Sequence, residues 1–239
     1  MTRSSFRTAA GRDVTAVTAD EMRDVDRVAV EDVGLQLLQM MENAGRVLAW
    51  HVRDVGPEEA VVVAGNGGNG GGGMVCARHL ANRDVPVRVV LDRSSDDLTG
   101  VAAHQHAILS EMGVPVYTAK APLTDSEDSR VVVDALIGYG LSGDVRPPAD
   151  EIIEFVNGQP DPIVSLDVPS GLNATTGDSL GPVVRPDRTV TLALPKTGLD
   201  SVTGPVFLAD ISIPATVYDR LDIAYDCPFD DRDWIRLET

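Results

Sequence analysis

The hydrophobic positions change period along this chain, and each change marks an element. Met22, Val25, Val28 and Ala29 follow Thr18-Ala-Asp-Glu21, a capping-box pattern, so a helix is predicted to begin there and to stop near Gly34. Leu37, Leu38, Met41, Ala44, Leu48 and Val52 recur at three- and four-residue steps and predict a second helix over about 35–52. Two helices thus precede the first strand, the apolar run Val61, Val62 and Val63. That run ends in seven glycines and two asparagines over 65–73, after which Met74, Val75, Ala77 and Leu80 resume at helical spacing. The reading is buried strand, tight glycine loop, helix.

The alternation continues. Strands are predicted at 87–91, around Val116, and at 131–133, 163–166, 189–194 and 206–213, with helices over about 98–112 and 149–157. Strands alternating with helices of this length imply an α/β fold of three layers, a mostly parallel central sheet with helices on both faces. One domain is expected over 16–224, between a mobile arm at 1–15 and an acidic tail at 225–239. Four strands end in unusual loops: the glycine run, Asp134 to Gly143, Asp167-Val-Pro-Ser-Gly171, and Pro195-Lys196. In a parallel sheet those ends share one edge, and the crevice there is the expected site.

Glycines let backbone N–H groups approach a ligand, and the helix beyond presents unpaired donors and the positive end of its dipole. A phosphate-bearing ligand is the natural guest. Composition narrows the partners. The chain has 37 acidic and 20 basic residues, a net charge of -17, and only Lys120 and Lys196 besides its arginines. That balance disfavours nucleic acid and resembles the proteins of salt-loving archaea. Cys76 and Cys227 make no disulfide framework, and no run approaches the roughly 18 apolar residues of a membrane span. A soluble cytoplasmic protein is expected. His51, His79, His104 and His106 lack ligand spacing, so no transition-metal site is assigned.

Gly65-Asn66-Gly67-Gly68-Asn69-Gly70 also matches G-x-G-x-x-G, with Asp92 ending the next strand where a dinucleotide fold holds its ribose. A nicotinamide dehydrogenase is therefore one reading. It leaves Asp134, Asp167, Ser170 and the second glycine loop unexplained.

Read together, Met40-Met-Glu-Asn-Ala-Gly-Arg46, the glycine loop at 65–73, Ala77-Arg-His-Leu80, Asp134-Ala-Leu-Ile-Gly-x-Gly-Leu-Ser-Gly143, Asp167-x-Pro-Ser-Gly171 and Thr189-Val-Thr-x-x-x-Pro-Lys196 resemble a known family in order and spacing. It is the NAD(P)H-hydrate epimerases, or YjeF N-terminal domain proteins, and the likeness covers about 16–215. The resemblance implies a Rossmann-like fold, usually dimeric, that interconverts the C6 epimers of hydrated NADH or NADPH (NADHX and NADPHX). It also implies a separate or fused dehydratase as functional partner, for which 239 residues leave no room.

Site residues carry over with the family. A potassium site falls on Asn69, Asp134 and Ser170, whose amide, carboxylate and hydroxyl oxygens suit a hard cation. Their other reading is structural, as turn caps. Substrate contacts fall on Gly68, Asn69, Gly70, Gly71 and Gly72, on Gly138, Tyr139, Gly140, Leu141, Ser142, Gly143 and Asp144, and on Asp167. Lys196 is expected to hold the phosphates as a point charge. The family loop reads Asn-Asn-Gly-Gly-Asp where this chain has Gly68-Asn69-Gly70-Gly71-Gly72, so one amide and the terminal carboxylate are missing. A binding scaffold without chemistry is accordingly a further reading. The substrate carbon is a hemiaminal, which inverts by ring opening or by loss and return of water; either route moves a proton on and off oxygen, and Asp167 is assigned that role.

Overall fold

The computed structural model describes residues 5–118 and 129–238, so Lys120 lies outside the described residues. Strands β1 (Ser5–Thr8) and β2 (Asp13–Thr15) come first. Thr18 then caps α1 (Ala19–Arg27) as the sequence predicts, its hydroxyl accepting from the Glu21 N–H at 3.2 Å while the Glu21 carboxylate accepts from the Thr18 N–H at 2.8 Å. A π-helical turn over Val28–Val33 follows, and Gly34 ends it at a φ of +82° that favours glycine. Helix α2 (Leu37–Val55) leads into β3 (Glu59–Ala64), α3 (Gly68–Ala81), β4 (Val87–Leu91), α4 (Gly100–Glu111) and β5 (Val116–Thr118). The second described stretch holds β6 (Arg130–Ala135), α5 (Ala149–Asn157), β7 (Ile163–Leu166), β8 (Arg188–Leu192), β9 (Val206–Ala209), α6 (Ala215–Arg220) and β10 (Trp234–Glu238).

The strands form one ten-stranded sheet in the order β2-β1-β10-β9-β8-β7-β6-β3-β4-β5. From β9 to β5 every pairing is parallel. Side chains on such strands alternate between faces, and β3 shows the division. Ala60, Val62 and Ala64 pack with Leu48, Met74 and Leu80 of α2 and α3, while Val61 and Val63 pack with Ile152, Ile153 and Val156 of α5. The three layers expected from the alternation are present.

The ends of the chain differ from the arm expected at 1–15 and the tail expected at 225–239. β10 lies between β9 and β1 and pairs antiparallel with both, and β2 pairs antiparallel with β1. Burial is the reason: Phe6 and Leu237 point inward, 0% and 4% exposed, and pack with Val14 and Leu208. Next to this edge, Trp50, His51, Phe207 and Trp234 form an aromatic cluster between α2, β9 and β10, with the Trp50 and Trp234 rings 4.6 Å apart. His51 is fully buried, its Nδ1 3.1 Å from Arg188 Nη1. Burial, and then the Arg188 charge, push its pKa down to about 3.

The glycine run is not wholly the tight loop expected over 65–73. Only 65–67 turn, and Gly68 to Gly73 form the first turns of α3. Glycine disfavours a helix by about 1 kcal/mol per residue, so packing must offset the loss. A Cβ on Gly73 would sit 2.4 Å from the Ala135 Cβ, and one on Gly45 2.5 Å from the Val75 Cβ. Bare backbone thus lets α3 press onto β6 and α2. Across the latter contact Glu42 bonds Arg78 and His79, which gives the acid of the Met-Glu-Asn motif a structural role. Cys76 is buried and Cys227 exposed, and both are free thiols.

Candidate active site

The sheet order creates the crevice. After β3 the chain moves outward to β4 and β5, and then crosses back to place β6 on the other side of β3, so their two following loops diverge. They touch at their base, where a Cβ on Gly65 would lie 2.2 Å from the Leu136 carbonyl oxygen. Above them opens a cleft of about 1330 Å³, walled by the α3 N-terminus, the loops after β6, β7 and β8, and side chains of α1 and α2.

Gly67 precedes α3 in an extended conformation and no side chain caps the helix. A Cβ on Gly67 or Gly68 would meet nothing within 4 Å, so the first-turn N–H groups border open space. Asn66 fixes the turn, its side chain accepting from the Thr99 N–H at 2.8 Å and donating to the Thr99 hydroxyl at 3.1 Å. Gly68, Asn69, Gly72, Gly138, Tyr139, Gly140, Leu141, Ser142, Asp144, Asp167 and Lys196 line the cleft, together with Asp92 and Arg93. Gly70, Gly71 and Gly143 do not. A Cβ on Gly70 would fall 1.8 Å from the Gly65 carbonyl oxygen, one on Gly71 2.7 Å from the Met41 sulfur, and Gly143 serves a turn at φ +79°.

Asp167 follows β7 with a φ of +67°, a left-handed conformation uncommon outside glycine. Its Oδ1 takes the Lys196 ammonium at 2.5 Å, the Leu192 N–H at 3.4 Å and the Thr191 hydroxyl at 3.5 Å; its Oδ2 takes the Tyr139 N–H at 3.2 Å. Lys196 donates also to the Leu192 carbonyl at 2.8 Å and is 1% exposed. The expectation of a free lysine holding phosphates is therefore corrected: the ammonium is committed to Asp167.

Asp134 and Ser170 meet in the interior. The Ser170 hydroxyl donates to Asp134 Oδ1 at 2.6 Å, and Asp134 Oδ2 accepts from the Ser170 N–H at 3.0 Å and the Ser165 hydroxyl at 2.8 Å. Burial raises the Asp134 pKa, opposed by its bonds to Ser170, Ser165 and Leu136. Among the described residues no cationic side chain pairs with it. The Asn69 side chain packs against Gly138, one residue beyond Ile137, whose N–H donates to the Ser170 hydroxyl at 2.8 Å.

One residue of the site escapes sequence reasoning. Asp26 of α1 lines the cleft and accepts a hydrogen bond from the Tyr139 hydroxyl. Desolvation raises its pKa, against the Tyr139 bond and the Lys196 charge; Tyr139 is raised in turn, by burial first and by Asp26 next. The available signal was placement: Asp26 follows Val25 and lies four residues from Met22, on the buried side of α1.

The family model for YjeF-related protein N-terminus matches residues 37–198. The chain belongs to that family. Among its YjeF-related relatives, the NAD(P)H-hydrate epimerase of Dehalogenimonas lykanthroporepellens is 44% identical over 222 residues, 90% of this chain and 89% of that protein. The bifunctional NAD(P)H-hydrate repair enzyme Nnr of Salinibacter ruber is 41% identical over 85% of this chain, which spans 42% of that longer protein. Yeast ynu0, known from a crystal structure, shares the YjeF-related fold at a TM-score of 0.82 and 24% identity, over 93% of this chain and all of that one.

Proposed function

We propose that this protein is an NAD(P)H-hydrate epimerase, an isomerase that interconverts the two C6 epimers of hydrated NADH and NADPH. Its family and the relatives bearing that name support the reading. In the structure it rests on one observation: the Asp167 carboxylate, fixed between Lys196 and the Tyr139 backbone, faces the same cleft as the uncapped N-terminus of α3. A pyrophosphate on those N–H groups would leave the hydrated ring to reach Asp167. The carboxylate then takes the proton from the C6 hydroxyl and later returns it, and its fixed bonds keep it in place for both transfers.

Potassium fits the interior site below. A carboxylate buried without a counter-ion is costly, and Asp134 with the Ser170 hydroxyl offers hard oxygen donors. The Asn69 amide nitrogen is buried without a partner, and turning the amide over would present its oxygen in that place. Asn69, Asp134 and Ser170 would hold the cation, which when bound supplies positive charge beneath the Asp167 loop. We also infer a homodimer, with Val30, Leu37 and Leu38 exposed on the outer helices, while Met40 and Met41 are buried within the chain. A NAD(P)H-hydrate dehydratase is the expected functional partner, and the relatives named bifunctional repair enzymes support it. No helix of the described residues is long and apolar enough to cross a membrane, and a cytoplasmic location accords with a nucleotide substrate.

The test is direct. Mixed hydrate epimers are incubated with the protein and potassium and then separated by chromatography. Accelerated interconversion is expected; binding without interconversion would make the protein a scaffold. Light scattering that shows a monomer at all concentrations would reject the dimer.

A further inference from the structure

Inversion at a hemiaminal carbon moves protons at two places. In ring opening the C6 hydroxyl loses its proton and becomes a carbonyl. The C6–N1 bond breaks with its electron pair going to N1, and N1 takes up a proton. After rotation N1 adds to the other face, its proton leaves, and the oxygen regains one. A single carboxylate serves the oxygen. The nitrogen calls for a second group, close enough to share the cleft and able to give a proton as Asp167 takes one.

Tyr139 and Asp26 meet both conditions. Tyr139 lies between the two carboxylates: its backbone N–H donates to Asp167 Oδ2 at 3.2 Å and its hydroxyl donates to Asp26. The Lys196 ammonium, bonded to Asp167, stands 5.6 Å from the centre of the tyrosine ring. All four side chains line the same cleft. The environments of the acids differ in kind. Asp167 accepts from an ammonium, a hydroxyl and two backbone N–H groups. Asp26 accepts from one phenol. On the same helix Asp20 and Asp24 each pair with the arginine three residues on, Arg23 and Arg27, yet Asp26 turns from both toward Tyr139. Nothing about helix stability asks for a half-buried carboxylate there.

We propose that the Tyr139 hydroxyl is the proton donor and acceptor at N1, and that Asp26 is the positioning residue that supplies and retakes its proton, while Asp167 serves the oxygen. This rests on the epimerase reading. At opening, the phenol protonates N1 and is reprotonated by Asp26, as Asp167 takes the hydroxyl proton; at closure each proton returns by the same path. Both carboxyl groups end as they began, and no other reactant is consumed. The desolvation that raises the Asp26 pKa favours the protonated state this cycle starts from. The groups acting on it are Tyr139 from the loop after β6, Asp167 from the loop after β7 and Lys196 beyond β8, with Arg23 acting on Tyr139.

The experiment compares wild type, Asp26→Asn, Asp26→Glu and Tyr139→Phe for kcat, KM and the pH dependence of epimerisation, with thermal unfolding as the check on fold. Asp26→Asn still accepts the phenol's hydrogen bond but cannot ionise, and Tyr139→Phe keeps the ring and the backbone bond to Asp167. Each is expected to lower kcat about 10²-fold or more with KM little changed. Wild-type kcat should fall as pH rises through the Asp26 pKa, because the protonated acid is the active one. That limb should vanish in Asp26→Asn and return, with part of the rate, in Asp26→Glu. A folded Asp26→Asn or Tyr139→Phe with near-wild-type kcat, or a loss confined to KM, or an unchanged pH limb, overturns the proposal. Should Asp26→Asn fail to fold, Tyr139→Phe decides alone. A wild-type protein that does not interconvert the epimers refutes the epimerase reading itself, and this one with it.

Discussion

Lys196 sets its ammonium 2.5 Å from the Asp167 carboxylate at the wall of the cleft, with both side chains almost wholly buried. The pair serves stability and reaction at once, and substitutions separate the two. Removing one partner of a buried pair costs about 3–5 kcal/mol, because the other is left uncompensated. Lys196→Met should therefore unfold at lower denaturant than the double variant Lys196→Met/Asp167→Asn. Equal midpoints would mean that the ion pair carries no net weight in the fold.

Asp167→Asn keeps the shape and one acceptor of the side chain but removes its proton chemistry. Epimerisation should fall by about 10²–10⁴-fold while the fold and substrate binding persist. If Asp167→Asn keeps its rate and Lys196→Met loses it with binding intact, the transfer belongs to the lysine.

For Asp134→Asn the expected change is in the ion requirement. Epimerase activity measured against potassium concentration should rise to a plateau in the wild type, and the variant should need more potassium to reach half of its own plateau. Superimposed curves would remove Asp134 from the cation site.

The glycines of α3 separate by what surrounds them. A Cβ on Gly70 would lie 1.8 Å from a backbone oxygen that cannot yield, whereas one on Gly72 meets only the Leu166 Cδ2 at 2.9 Å, the far end of a flexible side chain. Gly70→Ala should fail to fold stably and Gly72→Ala should be tolerated, as read by thermal unfolding. Gly72→Asp, which restores a carboxylate at the cleft wall, should add one hydrogen bond of about 0.5–1.5 kcal/mol and tighten the substrate several-fold. If it instead switches on an inactive wild-type protein, the carboxylate is catalytic and its absence here is decisive.

That contrast also explains what could be read in advance. Local signals marked α1, since Thr18 and Glu21 cap it in sequence as in space. The parallel strands were legible because most centre on short runs of Val, Ile and Leu followed by turn residues, and with them the shared edge that carries Asp134, Asp167 and Lys196. The glycines misled because their intrinsic preference is for a loop, and what makes them helical is close contact with β6 and α2, a property of the assembled layers. β1 and β10 were missed for a related reason: their pairing joins Arg7 to Glu238, and neither short strand is bounded by a strong local pattern. Lys196 read as a point charge for phosphates because its residue type favours an accessible ammonium, and only the buried Asp167 overrides that.

His51 predicts a pH dependence of stability. Its pKa is lowered from 6.5 to about 3 in the folded protein, so below pH 6.5 the unfolded chain binds the proton first. The contribution is fully present above pH 6.5 and is lost progressively as pH falls toward 3, at up to about 1.4 kcal/mol per unit. Urea unfolding across this window should show the decline. His51→Phe, which keeps an aromatic ring against Trp50 and Trp234, should flatten it; an unchanged slope would assign the acid sensitivity to other groups.

The aromatic cluster between α2, β9 and β10 gives the molecule a built-in optical reporter. The chain has two tryptophans, Trp50 and Trp234, and both stand at the seam of α2 and β10, away from the residues that line the cleft. Emission from this protein therefore registers whether the last strand is docked. Filling the catalytic crevice should leave the spectrum unmoved unless the event is transmitted along α2. A spectral change on adding nucleotide would thus be a measure of mechanical coupling between the crevice and the seam of α2 and β10, not of occupancy.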